Sequence, residues 1–567
     1  MRLLKPASPS PRPDEFGLGF DFMQPMILRR PLIGAALVAF LSIHHVQAGP
    51  RRGPEEAGKP MTTHRDLVAF FQEWREFQKP RVVDGVPDYT AASMAAQRAA
   101  LAETWKPRLE AFDISGWTLP EQNDYKIVKA ELHGLDFDHR VLKPWFNDPS
   151  FYVMAFDSES DVPAREGAAH LAATDLWKYT PPLSPAEAAL LRQRLGVIPR
   201  VLDQARVNLG GDVRDLWVLG VRNAASQKEI LGAFARSVGT AHPDLASDAT
   251  KAVAAFDAFG AWLKEGLPRK KGRAGIGVEN YDWYMKNVHL SPYTFADEVL
   301  LMERELSRAR AYLALVEHDN KSLPPMAPID TPAEFHRLFG QGVTDFMKFL
   351  ESTDVMAIKP WMEPALRERE GGFQKASERD FFAQIEFRDP RVMRCHGTHW
   401  FDRARATHEP HPSLIRQTPS LYNLWDSRAE GLATAAEEIL MGAGLFDDHP
   451  RSRELVYILV ANRAARGLAG LKVHSGELNV DEARRFASSQ TPRGWLIEDG
   501  GTNWGEQQLY LQQPGYGTSY LTGKLQIEKL MGDLAQEQGP RFTLRRFFDD
   551  FHAAGMMPVS LIASEMR

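Results

Sequence analysis

The sequence reads HGTHWFD over 396–402 and HEPHPS over 408–413. His396 and His399 are three residues apart, and Asp402 follows after three more. On a helix these three share one broad face. Two imidazoles and a carboxylate suit zinc or another divalent ion. A zinc-hydrolase helix of the HExxH kind adds a glutamate beside the first histidine as general base. Here Gly397 follows His396, and Trp400 follows His399. The pair His408 and Glu409 has only Pro410 before His411, and Pro410 and Pro412 stop any helix there. The pattern offers metal ligands without the usual base.

Further along, the stretch 428–448 is rich in Ala, Leu and Glu, and Gly442 and Gly444 end it. Glu430 and Glu437 are seven apart and share a helical face. A glutamate on a helix after the histidines can supply a third metal ligand; an acidic face in solvent is the other reading. The stretch 463–478 places Arg463, Arg466 and His474 on a helix of small residues, which packs closely and lets arginines meet carboxylates. At 512–531 a Pro-Gly-Tyr-Gly turn leads into an apolar helix carrying Tyr516, Tyr520 and Lys524. A tyrosine there could donate to a developing oxyanion or satisfy a loop carbonyl. Within 266–292 a basic, Gly-rich turn precedes Tyr281, Trp283, Tyr284 and His289. These are candidate substrate-pocket residues on a long loop, or a cap packed over a helix pair. Cys395 is the single cysteine, so no internal disulfide forms. Its expected role is a small buried side chain.

The elements that must position these groups read as helices. Leu67, Phe70, Phe71, Trp74 and Phe77 recur at helical spacing, and 91–109 is rich in helix formers. Helix starts are expected at Ser184, Thr294 and Thr331, each followed by early acidic residues. Strand signals are scarce, and no fixed-period repeat is present. The expected fold is all-α, with many helices over 63–567. Loops are expected at 144–165, 266–292, 356–380 and 488–518.

The chain has 567 residues, 44% hydrophobic and 25% charged, with a net charge of −6. That balance is globular and offers no basic stripe for nucleic acid. From Met26, Arg29 and Arg30 precede an apolar run from Leu32 to Ile43, and Val46-Gln47-Ala48 makes a cleavage site. The expected start is Met26, with residues 1–48 an extraneous extension plus signal peptide and 49–62 a Gly/Pro-rich lead-in. The run is short for a membrane span. A periplasmic or secreted protein is expected, with no stable span after cleavage.

Four ordered blocks in the C-terminal part, over 390–567, resemble the bacterial family DUF885. They read EGLATAAE (Glu430 to Glu437), RAARGLAGLKVH (Arg463 to His474), PGYGTSYLTGKLQI (Pro514 to Ile527) and LRRFFDDFHAAGMMPVSLI (Leu544 to Ile562). The resemblance implies a large helical domain around a deep cleft and zinc-dependent hydrolysis of peptides. The family also shows HExxPGHxxQ. With His399 at the second histidine, Met393 and Arg394 stand where His and Glu belong. With His396 at the first, Gly397 replaces the glutamate and Asp402 the second histidine.

The expected function is therefore an exported, zinc-dependent hydrolase of a small peptide-like or amide substrate. His396, His399 and Glu430 are its candidate metal ligands. Asp402 or Glu437 is the candidate base, Tyr520 or His474 the candidate oxyanion donor, and Arg463 a further catalytic candidate. A lyase using His/Glu/Tyr acid–base chemistry on an aromatic or hydroxylated small molecule is the second reading, and a non-catalytic binding protein the third. Substrate identity and oligomeric state stay open.

Overall fold

The computed structural model describes residues 62–160, 162 and 173–567. The expected start, signal peptide and most of the lead-in lie outside the described residues, as does part of the expected loop at 144–165. What is described is a single all-α fold. Among the described residues, strand is limited to four two-residue segments. Val82–Val83 pairs antiparallel with Val86–Pro87, and Ala155–Phe156 runs parallel to Thr174–Asp175.

The helix starts follow local chemistry. Ser184, Thr294 and Thr331 accept from the third helical amide of Pro185–Gly196, Phe295–Asp319 and Pro332–Thr353. At Ser184 and Thr294 the acidic residue three places on reaches back and closes a capping box. Leu67, Phe70, Phe71 and Trp74 line the buried face of His64–Phe77. All four expected loops hold helix: Pro144–Asn147, Val278–Asn287, Met362–Arg367 and Gly501–Gln512. Their local propensity is modest, with aromatic and polar side chains and flanking glycines. Tertiary burial decides the outcome there.

Arg214–Val238 and Pro243–Gly266 lie against each other over a core of their own, built on Trp217, Leu231, Phe256 and Phe259. The C-terminal part is organised around Ser452–His474, here the arginine helix. All of its residues but Arg453 and Lys472 are buried, so it runs through the middle of the molecule. It packs against Phe295–Asp319 and Tyr516–Gln538. The latter, the tyrosine helix, lies along Asp426–Gly442, the glutamate helix. Glycines set that approach: a Cβ on Gly523 would fall 2.0 Å from the Ser427 carbonyl, and one on Gly431 would fall 2.6 Å from the Gly523 backbone. Two shorter helices, Pro390–His396 and Thr398–His408, bring the histidines in from the side. No described helix is long and apolar enough to cross a membrane.

Candidate metal centre

His396 ends its helix and His399 lies in the first turn of the next, with Gly397 between them. Their rings meet edge to face with centroids 4.6 Å apart and Nε2 atoms 3.3 Å apart. Glu430, from the glutamate helix, brings Oε2 to 3.2 Å from His399 Nε2. One ligand atom from each of the three lies within 4.8 Å of the others. The cluster is interior: the His399 and Glu430 side chains are 1% and 2% exposed, and His396 is the most open at 12%.

Two of the members, His396 and Glu430, are held from behind. His396 Nδ1 lies 3.3 Å from Glu437 Oε1. Glu437 accepts both Nη groups of Arg463, at 2.6 and 2.8 Å. Arg463 Nη2 is also 3.2 Å from His396 Nδ1, but a carboxylate is the better partner for an imidazole N–H. With Nδ1–H donating to Glu437, the Nε2 lone pair points into the cluster. Carboxylate-backed histidine is the usual support of a metal ligand. Burial pushes the His396 pKa down, against the opposing pull of Glu437, which favours that neutral form. Glu430 Oε1 accepts from the Tyr516 hydroxyl. Burial acts to raise the Glu430 carboxyl. The His399 charge and hydrogen bond, with the hydrogen bond from Tyr516, outweigh it, holding the group below the usual carboxylate range.

These donors fit a divalent cation. Two imidazole nitrogens and Glu430 Oε2 converge in a buried space. Convergent lone pairs away from water are costly unless a proton or cation sits among them. Three protein ligands with one place left over is the pattern of catalytic rather than structural zinc.

Residues 399–566 match the bacterial family DUF885.

DUF885 is described as a family of bacterial proteins of unknown function. The matched segment starts at His399, so His396 lies just outside it. No curated protein matches the chain. Two solved structures resemble the whole fold. One, from Shewanella oneidensis, is described as a candidate lipoprotein of unknown function. It aligns over 89% of this chain and 99% of its own with a TM-score of 0.66 and 14% identity. The other, from Colwellia psychrerythraea, is also described as a candidate lipoprotein. It aligns over 89% and 98% with a TM-score of 0.63 and 13% identity. At such identity the likeness speaks for the fold alone.

Against the DUF885 expectations, several residues take different roles. Asp402 is turned to Arg428, which it pairs with through both oxygens, and to His552 Nδ1 at 3.4 Å. Burial would raise its carboxyl, but the Arg428 charge and the His552 hydrogen bond hold it well below the usual range. A carboxylate so committed is a poor base. Glu437 likewise serves His396 and Arg463 instead of facing the cluster as a base, and Arg463 serves Glu437. His474 ends the arginine helix, far along it from Arg463, and its Nε2 donates to the Tyr510 carbonyl at 2.9 Å. Burial lowers its pKa to about 4, so it is a neutral packing group and no oxyanion donor.

The aromatic set at 281–289 lies on the Val278–Asn287 helix and its end, packed inward instead of lining a loop. Tyr281 donates to Glu298 at 2.7 Å. Trp283 stacks on Phe137, and Tyr284 tilts against the same ring. His289 lies 3.2 Å from Asp426, one turn before Glu430. Tyr520 does stand at the centre: its ring makes a T-shaped contact with Tyr516 at 5.8 Å and lies 5.8 Å from the Arg463 guanidinium. Burial and nearby carboxylates, Glu430 first among them, push its phenol well above 10, so it stays a donor. Val162 packs with Trp425, Ala429, Tyr516 and Tyr520 on this side.

Sequence reasoning named Tyr516 among the polar groups at the start of its helix but did not select Arg428, Tyr510 or Glu506. Arg428 had a signal: it sits two residues before Glu430, in RAEG. Tyr510 and Glu506 sat in a stretch expected to be loop.

Proposed function

We propose that this chain is an exported, divalent-metal-dependent hydrolase of a small peptide-like or amide substrate. The observation that carries the reading is the convergence of His396 Nε2, His399 Nε2 and Glu430 within 4.8 Å of one another, with Glu437 behind the first histidine. The lipoprotein descriptions of the two structural neighbours and the apolar run from Leu32 to Ile43 support export.

His396, His399 and Glu430 would hold the ion, for which zinc is the best fit to this N/N/O set. A zinc ion there supplies Lewis acidity toward a carbonyl oxygen. The chain's own groups do the rest. The Arg463–Glu437 pair fixes the His396 ring and its tautomer, and Tyr516 fixes Glu430. Tyr520, kept protonated, would donate to the carbonyl oxygen as negative charge gathers on it.

The glutamate base of HExxH has no free counterpart among the described residues near the cluster. Asp402 and Glu437 are both held by arginines. General-base help is typically worth about 10²–10⁴-fold, so turnover slower than that of HExxH enzymes by roughly that factor is expected. The same commitment of carboxylates supports a second reading, a lyase using His399, Glu430 and a tyrosine. Metal analysis with His399→Ala and Glu430→Ala variants tests the first. About one equivalent of zinc, lost in both folded variants, upholds it. Metal-free protein with both variants folded overturns it and turns the search to lyase chemistry.

A further inference from the structure

Arg466 is fully buried on the arginine helix, one turn past Arg463. Its Nη1 pairs with Glu506, whose other oxygen accepts from the Tyr510 hydroxyl. Neither Nε nor Nη2 has a hydrogen-bond partner among the described residues. Those two atoms form the side-on fork of a guanidinium, the edge that grips a carboxylate through two parallel bonds. Three other buried arginines use both of their Nη groups, while Arg394 uses Nη2 alone, on Glu386. Arg463 grips Glu437, Arg428 grips Asp402, and Arg416 bonds Glu565, Pro120 and Ala554. A buried donor pair left unused is costly and calls for a partner that the described residues do not supply.

The surroundings define that partner. Phe382 and Tyr520 lie 5.6 and 5.4 Å from the guanidinium carbon, covering it with rings and keeping water off. Glu506, itself fixed by Tyr510, holds the group by one corner and leaves the fork open. Tyr520 touches both arginines, so the open fork and the His396 end of the cluster meet around one ring. Along the helix Arg463 and Arg466 are three residues apart, about 4.5 Å of rise. Consecutive residues of a peptide are about 3.8 Å apart.

We propose that Arg466 receives the terminal carboxylate of the substrate, seating the preceding amide toward His396 and Tyr520. The substrate class is then a short peptide or acyl amino acid with a free C-terminal carboxylate. What is cleaved rests on the hydrolase reading; what is bound does not.

The test is isothermal titration of the full chain with N-acetyl amino acids and their C-terminal amides, in pairs with apolar, acidic and basic side chains. In at least one pair the acid should bind about tenfold or more tightly than its amide, as expected for a charge-assisted fork. In Arg466→Gln that ratio should fall to about one. Arg466→Lys keeps the charge but lacks the fork, and should recover only part of the preference. An acid-to-amide ratio near one across the whole set for the unmodified chain overturns the proposal, whether or not the variants fold. A preference that survives Arg466→Gln overturns it too. Zinc analysis of the same sample separates the two readings. A carboxylate preference without zinc leaves this inference standing and removes the hydrolase; zinc with a ratio of one does the reverse.

Discussion

Glu437 illustrates how one carboxylate can matter without touching substrate. It takes two hydrogen bonds from Arg463 and faces His396 Nδ1, so Glu437→Gln should keep the fold and weaken the metal site. Loss of such a supporting group typically lowers affinity about 10–100-fold, and competition with a chelating dye measures it. Asp402 has a different part. Asp402→Asn leaves Arg428 buried beside a neutral amide, and breaking a buried pair costs about 3–5 kcal/mol, readable in a urea melt with little change in metal affinity. Because the Asp402 carboxyl is depressed in the fold, its stabilisation is fully present above the unfolded value of about 4. It is lost as pH falls toward the lower folded value, so the Asp402→Asn variant should show a flatter loss of stability in acid. His396, His399 and Glu430 were legible as ligand types, but not from one shared helical face, since the histidines sit on two helices parted at Gly397. The partners of Asp402 and Glu437 were not, since both are arginines 26 residues away along the chain, and spacing of that size says nothing about contact.

At the scale of elements, the site depends on how closely the glutamate and tyrosine helices approach. Gly523 faces the Ser427 carbonyl with room for hydrogen only. Gly523→Ala must push the helices apart, and overpacking of this kind costs about 1–3 kcal/mol or more. A lower melting temperature together with weaker metal binding is expected, since Glu430 and Tyr516 sit on the two displaced helices. A stable variant with unchanged metal affinity would show that the approach does not set the site. The helices with strong caps, at Ser184, Thr294 and Thr331, were readable from a few residues. Val278–Asn287 and Gly501–Gln512 were not. Their sequences are rich in aromatic, polar and glycine residues, and burial of Tyr281, Tyr284, Trp504 and Tyr510 makes them helices only once their neighbours are in place.

At the scale of the whole molecule, Arg463, Arg466, His396, His399, Glu430, Glu437 and Glu506 lie together inside a bundle of helices, and under the proposed reading a cation and an anionic substrate complete their balance. The all-α class followed from helical periodicity and the scarcity of alternation, and the solved structures of like fold agree with it. The chemistry is the part that the fold does not carry. The measurement that tests it most directly is the metal content of the purified protein, taken with the His399→Ala and Glu430→Ala variants and a check of fold by circular dichroism. The account predicts about one equivalent of zinc, removed by either substitution while helicity is kept. Protein without bound metal, and without uptake when zinc is offered, would contradict it.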